Sequence, residues 1–174
     1  MSQKINGVDL NGLNQILNEI SKEKDKAKEL SLWRVRLRWL GGFKTRAYMR
    51  RHSIDIDEPA DLAGIDTAQN AVETLLASLG ACIATTFILF ATSKGIKIEN
   101  LELAIEGQLD NVLVFLGLEK EGNPGFKSIE ILAYIRTEAE QKVIEDLFIE
   151  AMKSSPVFNT LTRGAQINHK IKIF

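Results

Sequence analysis

The chain has a single cysteine, Cys82, in 174 residues. That excludes an internal disulfide and any multi-cysteine metal site, and it fits a reducing compartment. Histidine is nearly as scarce: His52 and His169 stand far apart and, with one cysteine, give no metal-ligand spacing, so no metal is expected. No phosphate-cradling glycine loop, dinucleotide fingerprint or nucleophile-elbow serine is present, so no cofactor is expected either. Excess charge is also missing. With 22 basic and 23 acidic residues the net charge is −1, which requires neither a polyanion nor a polycation as partner. The opening MSQKINGVDLNG lacks an apolar stretch behind a basic leader, so the expected location is the cytoplasm. Without repeats or low-complexity tracts, a chain of this length is expected to form one domain over 1–174, with 1–31 as an N-terminal helical extension.

What is present is periodicity. Leu10, Leu13, Leu17 and Ile20 recur at helical spacing before the charged run KEKDKAKEL, predicting a surface helix over 9–30. From Leu32 the period becomes two. Trp33, Val35, Leu37 and Trp39 alternate with Arg34, Arg36 and Arg38, predicting a half-buried strand that turns at Gly41-Gly42 into a second alternating run over 44–57. Residues 58–70, with Pro59 and Gly64, read as a loop. A long helix is predicted from about Ala71 to Lys94, stopped by Gly95. LELAIEGQ is the next strand, residues 111–120 fit either a short helix or a strand, and GNPG at 122–125 is a turn. Ile129, Ile131, Ala133 and Ile135 mark another strand. Thr137 and Glu140 read as a capping box opening a helix that buries Val143, Ile144, Leu147 and Ala151 and ends at Ser154-Ser155-Pro156. The tail INHKIKIF alternates and is expected to close a sheet edge.

The uncharged run Leu75–Ala91 is about as long as the shortest membrane spans. Its Ser, Thr and Gly content, its start just after Glu73, its end before Lys94 and its lack of an aromatic belt favour a helix buried on all sides. Cys82 lies within it, where two readings compete: a small buried hydrophobe, or a reactive thiol.

VETLLASLGACI, followed by GIKIENL and preceded by EPADLAGIDTAQN, resembles the OsmC/Ohr family of thiol-dependent proteins that reduce organic hydroperoxides. The resemblance runs from about Arg51 to Phe174. It implies an α+β fold with antiparallel sheets wrapped around a long central cysteine-bearing helix, in an intertwined homodimer with interface sites. Cys82 matches the family's peroxide-attacking cysteine and Glu73 the acidic residue that opens the same helix. The family's resolving cysteine stands in a Cys-Pro-Val turn, which here is Ser155-Pro156-Val157. An arginine follows a Gly-Gly turn in the reductases, whereas Phe43 stands there in this chain, leaving Arg46 or Arg51 to supply the guanidinium.

Helix geometry constrains that assignment. Ser78 and Thr86 lie four residues to either side of Cys82 and share its face, so their hydroxyls could support a thiolate. Glu73 is about 900° of rotation and about 13 Å of axis away, on the opposite side, so it can serve only another subunit's site. Its bland reading is a favourable charge at a helix N-terminus; that of Ser155 is a turn residue before proline. With no second thiol, a sulfenic acid at Cys82 needs an external thiol or dithiol reductant. The expectation is a one-cysteine peroxidase for organic hydroperoxides. Two alternatives stand beside it. One keeps the fold as a non-catalytic binding protein for a small apolar or thiol-containing molecule. The other takes the run from Ser31 to His52, with seven basic residues, no acidic ones and four aromatics, as a single-stranded nucleic-acid surface.

Overall fold

A computed structural model describes residues 4–173. The chain opens with a two-residue hairpin, β1 (Lys4–Ile5) and β2 (Val8–Asp9), turned by Asn6-Gly7 with both residues at positive φ. The hairpin is held by one side chain. Asn6 Nδ2 donates to Thr92 Oγ1 at 3.1 Å and to the Ile96 carbonyl at 2.9 Å, while its Oδ1 accepts from Ile98 N at 2.7 Å. Asp9 then caps helix α1 (Leu10–Lys22), and a break at Glu23 separates it from α2 (Lys24–Glu29). The single helix expected over 9–30 is therefore two: KEKDKAKE has no apolar residue except Ala27 with which to hold α2 on α1's line.

β3 (Arg36–Gly41), β4 (Lys44–Met49) and β5 (His52–Ile56) form a three-stranded antiparallel sheet in that order. The strand expected from Leu32 starts at Arg36, because Ser31–Val35 has no ladder partner among the described residues. The run 44–57 splits into two strands at a turn where Arg50 takes positive φ. Alternation alone could not reveal that turn, since polar and apolar residues keep their phase through it.

The loop 57–70 is closed by its own bonds. Asp57, 1% exposed, accepts from Glu58 N, Thr67 N and Thr67 Oγ1. Gly64 lies so close to the Glu58 carbonyl that a Cβ there would sit 1.7 Å from the oxygen. Helix α3 (Ala71–Ser93) follows, starting one residue after Asn70 and ending before Gly95, as the sequence predicts. β6 (Asn100–Leu109) and β7 (Phe126–Arg136) pair as a long antiparallel ribbon, and the ambiguous segment between them holds a one-turn helix, α4 (Val112–Phe115).

Helix α5 (Gln141–Ser154) has Glu140 at its N-cap, without a side-chain cap. Thr137 is not half of a capping box: its hydroxyl donates to the Lys97 carbonyl at 2.7 Å, tying the end of β7 to the loop before β6. α5 ends at Ser154, as the Ser154-Ser155-Pro156 run predicts, but Pro156 is more than a stop. It is the first residue of α6 (Pro156–Arg163), where its missing N–H costs nothing and its fixed φ suits the first turn. Residues 164–173 form neither helix nor strand, so the expected closing strand is absent among the described residues. A strand needs an edge to pair with, and Ile167, Ile171 and Ile173 are instead 87, 80 and 92% exposed.

The core is where α3 meets α5. Phe87, Ala91, Leu147 and Ala151 are at most 1% exposed, with Phe87 edge-on to Phe148 at 5.7 Å between ring centroids. Burying Phe87 and Leu147 contributes about 1.5–3 kcal/mol each. α3 is long and apolar enough to cross a membrane, yet one side of it packs on α5, α6 and β6. The expectation of burial on all sides fails: only 28% of its most apolar window is buried.

Candidate functional site around Cys82

The start of α3 is set by a reciprocal capping box. Asn70 Oδ1 accepts from Glu73 N, and Glu73 Oε2 accepts from Asn70 N, both at 2.8 Å. Three turns on, Cys82 is half-buried at the rim of the helix's packed side. Leu79, Ile83 and Phe87 point into the core, while Ala77, Ser78, Ala81 and Thr85 are exposed. The thiol is thus neither sealed in the core nor presented on a charged surface.

Its neighbours on the helix are already engaged. The Ser78 hydroxyl donates to the Thr74 carbonyl at 2.7 Å, and the Thr86 hydroxyl donates to the carbonyl of Cys82 itself at 2.9 Å. Both protons serve the helix backbone, as serine and threonine four residues past a carbonyl commonly do. In these rotamers neither hydroxyl donates to sulfur.

The two candidate arginines lie elsewhere. Arg46 on β4 forms a two-point contact with Asp55 on β5, Nε to Oδ1 at 2.5 Å and Nη2 to Oδ2 at 2.9 Å. That hydrogen-bonded pair holds Asp55 down at about 2 and raises Arg46 further above its ordinary range. Lys44 lies 3.6 Å from the same carboxylate. Arg51 is exposed in the β4–β5 turn. Among the described residues no ion pair joins Glu73 to an arginine, and within one chain Cys82 has only Ser78 and Thr86 of the predicted set on its own stripe.

Ser155 is fully buried between α5 and α6. Its hydroxyl oxygen accepts from Phe158 N at 3.3 Å, which makes it the N-cap of α6. A groove of about 620 Å³ runs between the first turns of α3, α6 and the far end of the ribbon, lined by Val72, Leu75, Leu79, Phe126, Phe158 and Leu161; neither Ser155 nor Cys82 lines it. By helix rotation Leu75 and Leu79 flank the stripe that carries Cys82. A second groove, of about 440 Å³, lies on the other side of α3 between Glu73, Ala77 and Ala81 and the strand residues Leu103 and Ile105. Sequence reasoning passed over Asp57 and Asn6, each of which has a partner ten or more residues away, Thr67 and Thr92; DEP and NG look like ordinary turn chemistry in one dimension.

The OsmC-like protein family model matches residues 64–170. The chain belongs to that family. The match takes in α3, the ribbon, α5 and α6, and ends within the unpaired tail. Among solved structures, an OsmC-like protein from Mycoplasma pneumoniae superposes with a TM-score of 0.65 at 21% identity, over 76% of this chain and 88% of that one. An organic hydroperoxide resistance protein OsmC from Legionella pneumophila gives 0.57 at 23%, over 77% and 92%. A putative organic hydroperoxide resistance protein from Vibrio cholerae, with captopril in one of its active sites, gives 0.54 at 14%, over 77% and 87%. No curated protein matches the chain in sequence. At these identities the solved structures speak for the fold: small antiparallel sheets and one long helix.

Proposed function

We propose that this OsmC-family chain is a cytoplasmic one-cysteine peroxidase that reduces organic hydroperoxides at Cys82. The observation that carries the reading is the placement of the only thiol, half-buried on α3 one turn from Leu79, which with Leu75 and Phe158 lines the apolar groove. An apolar wall of this kind suits an organic hydroperoxide better than hydrogen peroxide. The Cys82 thiolate attacks the outer peroxide oxygen, the O–O bond breaks, and the alkoxide leaves and takes up a proton, giving alcohol and a sulfenic acid. One external thiol condenses with the sulfenic acid, releasing water and leaving a mixed disulfide. A second thiol displaces Cys82 and restores it. Ser155, at the second-cysteine position, has no thiol with which to condense with the sulfenic acid, so the first of these thiols must be external as well.

The functional unit is a homodimer. The chain exposes 13557 Å², whereas a compact 19.4 kDa monomer exposes roughly 8,500 Å². An excess of thousands of square ångströms is what an obligate dimer covers. Since Ser78 and Thr86 donate to the backbone and Arg46 is held by Asp55, thiolate support comes from the second copy, with Glu73 orienting an arginine there.

The deciding experiment is hydroperoxide consumption with several thiol reductants, on wild type and Cys82→Ser, with mass spectrometry after stoichiometric cumene hydroperoxide. Turnover lost in the variant and one added oxygen on Cys82 are expected. Folded protein left unmodified would point to the second reading, a non-catalytic binding protein of the same fold, which Ser155 favours.

A further inference from the structure

The tip of the ribbon carries an apolar surface that the peroxidase chemistry leaves unused. The β6–β7 ladder ends at the pair Leu109 and Phe126, and the chain between them continues past that pair as a compact loop around α4. From Asn111 to Leu118 it reads NVLVFLGL, without a charged residue. Val112, Leu113, Phe115 and Leu116 are 45–48% exposed, and Leu118 is 72% exposed. Scattered exposed leucines need no explanation, whereas a contiguous apolar patch of this kind marks an interaction surface.

The backbone of this loop is closed on itself. Asn111 Oδ1 accepts from Leu113 N at 2.9 Å and from Val114 N at 3.3 Å. The carbonyls of Asn111, Val112 and Val114 accept from the amides of Phe115, Leu116 and Gly117, and the Leu113 carbonyl accepts from those of Leu118 and Glu119. Every N–H from Leu113 to Glu119 therefore has its partner inside the loop. A segment that enters a medium without water must satisfy its amides internally, and this one does so before it touches anything. Charge returns only at the rim, where Asp110, Glu119, Lys120, Glu121 and Lys127 mix both signs. The Glu119 carboxylate is held by Asn111 Nδ2 at 2.8 Å.

We infer that the α4 loop docks the protein on a phospholipid surface, with Leu113, Phe115, Leu116 and Leu118 entering among the acyl chains and the rim staying at the headgroups. The composition of the patch favours lipid over protein. Protein interfaces draw their energy mainly from Trp, Tyr and Arg and use Leu and Val sparingly; residues 111–118 have none of the first three and consist mostly of the other two. A rim of mixed sign means that apolar insertion, not attraction to anionic lipid, carries the binding. One helical turn lies on a bilayer and cannot span it. The loop is also separate from the open groove on α3, whose strand lining ends at Ile105, about 13 Å of extended chain before Leu109. The docking uses neither Cys82 nor Ser155, so it goes beyond the peroxidase reading and does not depend on it.

Vesicle flotation of the full chain tests it, on phosphatidylcholine alone and on phosphatidylcholine with phosphatidylglycerol, at low and high salt. Wild type is expected to float with both, to a similar extent and without dependence on salt. Leu113→Ser/Phe115→Ser/Leu116→Ser is expected to lower partitioning by about tenfold or more, and so is Leu118→Glu, a single change at the most exposed of these positions. Circular dichroism checks that each variant folds, and Leu118→Glu carries the test if the triple variant does not. Cys82→Ser is expected to float as wild type does, so that loss of turnover and loss of docking are read separately. Wild type that stays in the aqueous phase, or folded variants that float as well as wild type, overturns the docking. Binding confined to anionic vesicles and lost at high salt overturns it in favour of the basic run at 31–52. A wild-type dimer that becomes monomeric in folded Leu118→Glu assigns the loop to a contact between copies and overturns it as well.

Discussion

Glu73 is where the bland and the chemical readings of this site separate, and Glu73→Gln divides them. One carboxylate oxygen, Oε2, caps Asn70 N, which leaves Oε1 available to another partner. A glutamine keeps an acceptor for Asn70 N and loses only the charge, worth about 0.3–1 kcal/mol beside a helix N-terminus. In a protein of this size that lowers Tm by about 2–4 °C at most. Asn70→Ala is the reverse control. It removes the acceptor for Glu73 N, costing about 1 kcal/mol, and leaves the carboxylate charge in place. If Glu73 orients an arginine at the second copy's Cys82, the lost charge-assisted hydrogen bond is worth about 1.5–3 kcal/mol. Glu73→Gln then loses about ten- to a hundredfold in kcat/KM for hydroperoxide. Asn70→Ala, measured below its Tm, stays near wild type. Thermal denaturation and steady-state turnover on the two variants separate the roles. Wild-type kcat/KM in a folded Glu73→Gln would refute the orienting role and leave Glu73 as a cap.

Three further outcomes are expected. Asp55, held at about 2 by Arg46, and Asp57, lowered first by its hydrogen bonds to Thr67, both titrate below their unfolded values near 3.8. Their contribution to stability is therefore complete above about pH 4–5 and is lost as pH falls toward the folded values. Urea midpoints between pH 7 and 3 should fall accordingly, and Asp57→Asn should lower the midpoint at pH 7 and flatten its acid dependence. Phe87→Ala empties the centre of the α3–α5 core and should cost about 3–5 kcal/mol by denaturant unfolding; a loss below about 1 kcal/mol would contradict that packing. Ser155→Cys replaces a good N-cap by a poor one, at about 1 kcal/mol, and places a thiol at the position proposed above for a second cysteine. After one equivalent of hydroperoxide it is expected to form an intrachain disulfide with Cys82, seen as the loss of two hydrogens. A stable sulfenic acid at Cys82 beside a free thiol at 155 would argue against that pairing.

The elements legible in the sequence are those whose partners lie in the same chain. α3 is legible to within a residue or so because Gly95 is a local stop signal; the Asn70–Glu73 capping box that fixes its start is equally local but was not read from the sequence. The ribbon was legible from the alternation of Leu101, Leu103 and Ile105 and of Ile129, Ile131 and Ile135. One omission, helix α6, and one error, the Thr137–Glu140 capping box, share a cause: a one-dimensional signal with a second structural meaning. Pro156 after two serines reads as a stop, yet a capping serine followed by proline also starts a helix, as it does in α6. Thr137 with Glu140 has capping-box spacing, but the Thr137 hydroxyl is taken by Lys97, forty residues away. At the site, Ser78 and Thr86 fell on the predicted stripe, since that is rotation alone. Where their protons go is decided by carbonyls one turn back, which spacing does not reveal.

The failure of the tail has a different origin and bears on the mechanism. INHKIKIF alternates as a strand should, but through residue 173 it finds no edge, while β3, β5, β6 and β7 each leave one unpaired. Open edges with apolar alternation are rarely left exposed in soluble proteins. They coincide here with the excess surface and with the uncovered face of α3. Cys82 lies at the border of that uncovered face, so whatever covers the face also sets the thiol's surroundings. In the dimer proposed above, a substitution on whichever surface covers that face is therefore expected to alter turnover, as one a helical turn from the sulfur would.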